Sequence, residues 1–202
     1  MNKKYIIIFG SSGTLGSELK QILELYGFET LTPSHLEVDV TNYDLLSNFF
    51  KEQHGKNIIA VVNCSALVNT VGIETSFEIR NKSFLINVVG VRNIAEICNE
   101  YKINFIHIST DYVFSEFSER GIEFPVNIYG YHKLISELFI KSLSGLRYTV
   151  MRVGWIYGYK TKRTFIHKFI TNVINNIKMG KNEVECVSDQ ISTPTSVKFV
   201  SK

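Results

Sequence analysis

A chain of 202 residues that is 45% hydrophobic and 20% charged can bury one sizeable core and is too short for two comfortable ones. Its 22 basic and 19 acidic groups leave a net charge of +3, with no basic block or basic-aromatic alternation to track a phosphate backbone, so nucleic acid is not expected as a partner. Cys64, Cys98 and Cys186 are odd in number, far apart and outside any metal-ligand spacing, which points to reduced thiols and no metal site.

Taken in chain order, the first element is the apolar run "KYIIIFG", a strand. Its apolar core of about five residues falls short of the roughly 7–15 in a secretion signal, and no later run approaches the ~18 that spans a bilayer. The protein is therefore expected in the cytoplasm, with no membrane segment. "GSSGTLG" follows, at the turn from this strand into a periodic helix over 14–26, which sets Leu15, Leu19, Ile22, Leu23 and Tyr26 on one face. In that place each glycine has a use: Gly10 for the tight turn, Gly13 for close approach to a pyrophosphate, Gly16 for packing of helix on strand. Ser11, Ser12, Thr14 and Leu15 complete a turn whose free N–H groups face the phosphates.

The second strand is "FETLTP". A NAD-preferring site presents an acidic residue about 20 positions after the glycines, where it holds the ribose 2′-hydroxyl. Here "TLTPSHLEVDV" places Ser34 and His35 in the turn, with no carboxylate on the strand tip. A 2′-phosphate meets less repulsion there, so NADP(H) is slightly favoured over NAD(H); read by itself, His35 is a solvated loop residue. A helix over about 42–53, the strand "NIIAVVNC", a helix over about 77–101 and the strand "INFIHIST" come next. After the polar loop "SEFSERGIEFP" at 115–125 lie a helix over 127–144, the strand "RYTVMRVGW" and a helix over 163–179. Strands that are apolar throughout, alternating with helices, predict an α/β fold: a Rossmann-like doubly wound parallel sheet with helices on both faces. Residues 1–155 are expected to form the dinucleotide-binding domain, and 156–202 a reduced substrate lobe that does not fold alone.

Within "YGYHK", Tyr129 and Lys133 are four residues apart and share one helix face. A phenol is a poor acid-base catalyst at neutral pH, but a nearby ammonium favours phenolate and lowers its pKa. The spacing alone is common; its place one element after "HISTDYVF" gives it weight. That segment delivers Thr110, Asp111 and Tyr112 to the carboxyl edge of the sheet, where ligands of such folds bind. Thr110 could donate a hydrogen bond to a substrate carbonyl, whereas His107, inside the strand, is read as a core residue.

With these residues in view, the chain resembles the extended short-chain dehydrogenase/reductases, and among them the nucleotide-sugar 4-ketoreductases of the dTDP-4-dehydrorhamnose reductase type. "FGSSGTLGSEL", "VDVTN", "VVNCSA", "INVVGVRNIAEIC", "ISTDYVF", "PVNIYGYHKLISE", "RVGWIYG" and "VSDQISTPTS" match family blocks in order. The resemblance implies that Asp39 and Val40 sit by the adenine, that Cys64, Ser65 and Ala66 line the cofactor groove, and that Asn87 supports the site. It implies that Thr110, Tyr129 and Lys133 are catalytic, Lys133 also holding the nicotinamide ribose, and that Asp111, Tyr112, Trp155, Asp189 and Gln190 lie at the sugar-nucleotide pocket. The implied reaction is NAD(P)H-dependent reduction of a nucleotide-linked 4-keto-6-deoxy sugar for a surface polysaccharide, with Tyr129 protonating the forming alkoxide. The resemblance leaves room for a homodimer.

Departures from the family pattern are visible too. Its "AVDKAE" loop reads "NTVGIE" here and keeps only Glu74; the loop from Ser115 to Pro125 is shorter; Ser192 replaces the glycine after "DQ"; and relatives continue well beyond "PTS". A nucleotide-sugar 4-epimerase would use the same Tyr and Lys, but with an acidic residue at the second strand tip. A 4,6-dehydratase would want Glu where Tyr112 follows Asp111. A regulatory protein on this scaffold would bind NADP without turnover.

Overall fold

The computed structural model describes residues 3–115, 122–158, 164–186 and 192–202. Strands β1 (Lys4–Phe9), β2 (Glu29–Leu31), β3 (Asn57–Asn63), β4 (Asn104–Thr110) and β5 (Tyr148–Val153) form one parallel sheet in the order β2-β1-β3-β4-β5. Because the chain moves outward from β1 to β2 and then crosses to β3, the strand order reverses between β1 and β3. A crevice opens at such a reversal, beyond the carboxyl ends of the strands. Register lines those ends up: Phe9 pairs with Asn63, Asn63 with His107, and Thr110 with Val153.

Successive residues of β1 go to opposite faces, as the period of two requires. Ile6 and Ile8 meet Leu19 and Leu23 of helix α1 (Thr14–Leu25). Ile7 and Phe9 join Val61 and Phe105 in the larger core on the other face. Helices α2 (Tyr43–Glu52), α5 (Val91–Glu100) and α6 (Ile128–Ser142) cover that core with Leu46 and Phe50, Ile94 and Ile97, and Ile140. Both faces of β1 are covered, and Ile7 and Ile8 are wholly buried, which accounts for a first strand without polar alternation; β5, at the sheet edge, buries none of its residues.

Several expectations need correction. Tyr26 does not share the buried face of α1: it follows the last turn and is exposed, because Gly27 turns the chain away at φ +82°. The helix expected over 77–101 is continuous but not uniform, running as α4 (Phe77–Phe84), a π-type segment (Leu85–Gly90) and α5. Helix α3 (Thr70–Thr75) escapes the sequence reading because it is barely a turn and a half. Val38 and Val40 enter the core from a segment that forms no strand.

Past β5, the chain forms β6 (Ile156–Tyr157), α7 (Phe165–Lys178), β7 (Thr195–Ser196) and α8 (Val197–Val200), with β6 and β7 paired in parallel. Helix α8 packs on α1. Helix α7 buries none of its residues, leaving Phe165, Phe169, Ile170, Ile174 and Ile177 exposed. Cys98 is buried in the core, Cys64 is half-buried, Cys186 is exposed, and all are free thiols. Among the described residues, no helix is long and apolar enough to cross a membrane.

Candidate active site

A groove of about 580 Å³ lies along the carboxyl rim, walled by the β1 turn, the tips of β3, β4 and β5, and the start of α7. In the β1 turn, Gly10 has φ +74°, and a Cβ there would lie 2.6 Å from the Ser65 amide nitrogen and 2.7 Å from the Cys64 carbonyl carbon. A Cβ on Gly16 would run into the Gly10 carbonyl oxygen. Glycine is thus required where the β1 turn meets β3 and where α1 meets the turn. Gly13 caps α1 without a side chain, and no acidic residue occupies the first turn. Gly13, Thr14, Leu15 and Gly16 line the groove, so the leading N–H groups of a twelve-residue helix face it, a cradle suited to a pyrophosphate. Ser11 is half-buried in the turn and Ser12 is exposed.

At the β2 tip the turn adds a contact that the sequence reading did not include. Ser34 and His35 are exposed there, but the turn folds Glu37 back so that its Oε2 accepts from the Ser34 N–H at 2.8 Å. These hydrogen bonds from Ser34 hold the Glu37 carboxyl below its usual range. A carboxylate therefore stands beside Ser34 in the turn that follows the strand tip, and the choice between NADP(H) and NAD(H) is not distinguished there. Asp39 closes its own turn, its Oδ1 accepting from the Thr41 N–H at 2.9 Å and hydroxyl at 2.8 Å. Val40 is buried, and its carbonyl accepts from Asn93 at 3.0 Å. None of His35, Asp39 and Val40 lines the groove.

Beyond β3, Cys64 and Ala66 do line it, while Ser65 donates from its amide (3.0 Å) and hydroxyl (2.5 Å) to Asn63 Oδ1. Burial pushes the Cys64 thiol up to about 12, with Lys133 opposing. Asn87 comes from the π-type segment, fully buried. Its amide accepts from the Leu67 N–H at 2.9 Å and donates to the Leu67 carbonyl at 2.9 Å and to Ser83 Oγ at 3.0 Å, pinning the loop after Ala66.

Strand β4 ends at Thr110, whose Oγ1 accepts from the Tyr112 N–H at 3.2 Å and lies 3.2 Å from Asp111 Oδ1. Helix α6 begins opposite. Its N-cap Asn127 accepts from the Gly130 N–H at 2.7 Å, and Glu74 of α3 accepts from the Ile128 N–H at 2.6 Å. The surviving acid of "NTVGIE" thus holds the first turn of the helix that carries Tyr129. Tyr129, Lys133, Glu137 and Ile140 fall on its buried face, as helical spacing demands. Tyr129 lines the groove beside Thr110 and packs edge-on to Tyr112 with ring centroids 5.9 Å apart.

The expected lowering of the Tyr129 pKa by Lys133 is not what this geometry gives. Burial pushes the phenol up, Asp111 and Tyr112 add to the rise, and a hydrogen bond with Thr110 opposes it. Lys133 is turned the other way, donating to the Ile108 carbonyl at 2.7 Å and lying 2.9 Å from His107 Nε2. Burial lowers its own pKa from 10.5 to about 7, against the pull of Glu137 and Cys64.

The far wall is aromatic: Trp155 and Phe165 have ring centroids 4.4 Å apart, and both line the groove with Asp111 and Tyr112. Ser192 donates to Asp111 Oδ2 at 2.6 Å, tying the last segment to the β4 tip. Asp189 and Gln190 lie outside the described residues. Sequence reasoning missed Glu74 and Ser192 as site-building groups, although Glu74 was visible as the acid its loop keeps from the family pattern and Ser192 as a departure from it. His107 is wholly buried, as its place in an apolar strand implied, and sequence reasoning missed Glu137, a wholly buried carboxylate that takes the Ser109 hydroxyl and Arg152.

A sequence model of the RmlD substrate-binding domain matches residues 3–202. A dTDP-4-dehydrorhamnose reductase from Mycolicibacterium smegmatis is 28% identical over 199 residues, covering 94% of this chain and 56% of that protein. A probable low-salt glycan biosynthesis reductase from Haloferax volcanii is 27% identical over 206 residues, covering 95% and 66%. The crystal structure of a dTDP-4-dehydrorhamnose reductase from Bacillus anthracis in complex with NADP aligns with a TM-score of 0.84 at 27% identity, over 100% of this chain and 68% of that one. The chain spans 56% to 66% of the length of these two sequence relatives. The match over residues 3–202, on a fold shared with that reductase, places this chain in the RmlD substrate-binding-domain family.

Proposed function

We propose that the protein takes part in the NAD(P)H-dependent reduction of a nucleotide-activated 4-keto-6-deoxy sugar, in the cytoplasm, for a surface polysaccharide. One observation carries the reading: a glycine cradle at the start of α1 and a buried phenol beside a strand-tip threonine share one groove. A nicotinamide dinucleotide bound there supplies the hydride. The groove residues fit such a ligand, since the close approach of Gly10 and Gly16 to their neighbours leaves the α1 amides open to phosphate.

The remaining chemistry belongs to the chain's own side chains. Tyr129 donates its phenolic proton to the developing alkoxide. A phenol held above its ordinary pKa keeps that proton until a stronger base forms beside it, which suits a reductase acid. Thr110 orients the carbonyl and, by its hydrogen bond, favours the phenolate left behind. Asp111 opposes that charge, and Ser192 holds its carboxylate in place. Lys133 keeps a donor for a ribose hydroxyl, and Trp155 with Phe165 offers an apolar wall to the sugar. Residues 156–202 serve as part of the substrate lobe. A homodimer belongs to the same reading, and Glu37 beside Ser34 makes NADH a real competitor for NADPH.

Tyr129→Phe tests it. Consumption of NADPH with a dTDP-linked 4-keto-6-deoxy sugar falls about 10²–10⁴-fold, the usual worth of a positioned acid, while cofactor affinity stays within a factor of about two. Wild-type protein that binds NADPH but turns over none of a panel of such sugars would instead make it a non-catalytic dinucleotide-binding protein.

A further inference from the structure

Lys133 is a wholly buried amine, and no carboxylate among the described residues lies within salt-bridge distance of it. Glu137, one turn along α6, gives its oxygens to the Ser109 hydroxyl, Arg152 and Lys141. Cys64, facing from the end of β3, stays a neutral thiol because burial raises its pKa to about 12. Tyr129, one turn back on α6, is a neutral phenol. What touches the amine is neutral: the Ile108 carbonyl at 2.7 Å and His107 Nε2 at 2.9 Å.

His107 is itself wholly buried in β4, between Asn63 and α6. Asn63 Nδ2 lies 3.4 Å from Nδ1, and Ser136 Oγ lies 3.4 Å from Nε2 but donates to the Lys133 carbonyl at 2.7 Å. A charge-assisted contact at 2.9 Å outranks a neutral one at 3.4 Å, so a charged Lys133 sets the lone pair on Nε2 and the proton on Nδ1, at the cost of the 3.4 Å contact: Asn63 Oδ1 is held by Ser65, and its Nδ2 can only donate. We propose that His107 is a positioning residue for Lys133: its Nε2 and the Ile108 carbonyl accept two of the ammonium hydrogens and leave the third for a ligand that reaches the amine through the groove wall at Cys64 and Ile108, behind which Lys133 itself is buried. The proposal deepens the dinucleotide reading above and rests on it only for the identity of that ligand. Without the imidazole, burial would strip the proton from Lys133, since among the described residues no other side chain accepts from it.

The test is a pH titration of lysine side-chain ¹³Cε resonances in the full chain, with Lys133→Met assigning the signal. Wild type shows one lysine titrating near neutrality. In His107→Phe its midpoint falls by about one pH unit, the worth of one hydrogen bond to a charged group, and NADPH affinity at neutral pH drops about tenfold. His107→Gln, which puts an amide oxygen near the place of Nε2, recovers most of both. An unchanged midpoint in His107→Phe overturns the proposal. Should the Phe variant not fold, wild-type imidazole ¹⁵N shifts, assigned with His107→Gln, decide: an Nδ1–H tautomer supports the proposal, while an Nε2–H tautomer or a charged ring at neutral pH refutes it. The lysine and imidazole signals use neither substrate nor cofactor, so a protein inert toward 4-keto sugars leaves this test standing.

Discussion

Two glycines with the same backbone conformation and opposite surroundings offer a controlled perturbation. Gly10 (φ +74°) sits in the β1 turn, where an added Cβ meets Ser65 N at 2.6 Å and Cys64 C at 2.7 Å; Gly27 (φ +82°) follows α1, where an added Cβ meets nothing within 4 Å. Alanine at Gly27 incurs only the left-handed backbone term, about 1–2 kcal/mol. At Gly10 the same term applies, and the backbone of β3 must also give way, an overpacking cost of about 1–3 kcal/mol. Gly10→Ala should then lose about 2–5 kcal/mol in all, and any gain from stiffening the unfolded chain, ~0.4–1 kcal/mol, is common to both variants. For a chain of this length each kcal/mol moves the melting midpoint by about 2–4 °C. Thermal and urea unfolding followed by circular dichroism should place Gly10→Ala clearly below Gly27→Ala, and NADPH binding should be lost only in the former. If the two variants unfold together, the contact between the β1 turn and β3 is not what fixes glycine at position 10, and the cradle argument fails.

Other outcomes follow from the buried charges. Lys133 has a folded pKa near 7 against its ordinary 10.5, so between those values the unfolded chain holds more protons than the folded one. Stability should therefore rise as pH climbs from about 7 toward 10.5, by several kcal/mol at most. Lys133→Met should flatten that limb in denaturant titrations run across pH, and an unchanged slope would contradict it. Glu137 is wholly buried against Arg152, so Glu137→Gln should cost about 3–5 kcal/mol in urea unfolding. Glu123, partly exposed on the same arginine, should cost no more than about 1 kcal/mol when changed to Gln. Equal costs would mean that burial is not what makes Glu137 matter.

Much of the architecture was legible because its signals are local. Apolar runs such as "KYIIIF" become strands buried on both faces, and Gly10 and Gly16 can be read from sequence because a turn against a neighbouring strand excludes a side chain. What stayed hidden depends on contacts across the chain. Glu74 reaches the first turn of α6 from 54 residues away, and Ser192 reaches Asp111 from 81. His107 meets Lys133 only because β4 and α6 are layered face to face. At the β2 tip what stayed hidden was turn geometry: Glu37 is three residues past Ser34, and only a chain reversal brings its carboxylate back. The orientation of Lys133 was equally unreadable. Helical spacing puts it on the Tyr129 face but does not say whether the ammonium bends toward the phenol or toward the strand beneath.

The groove wall contains the chain's only tryptophan, Trp155, which makes the central claim directly measurable. A reduced nicotinamide dinucleotide lying in the groove would sit close enough to this indole for efficient energy transfer. Titrating NADPH into the protein with excitation of Trp155 should quench the tryptophan emission and produce sensitised, saturable nicotinamide emission, and Gly10→Ala should abolish both. Unquenched tryptophan emission, with no sensitised signal from either NADPH or NADH at saturating concentration, would contradict the account.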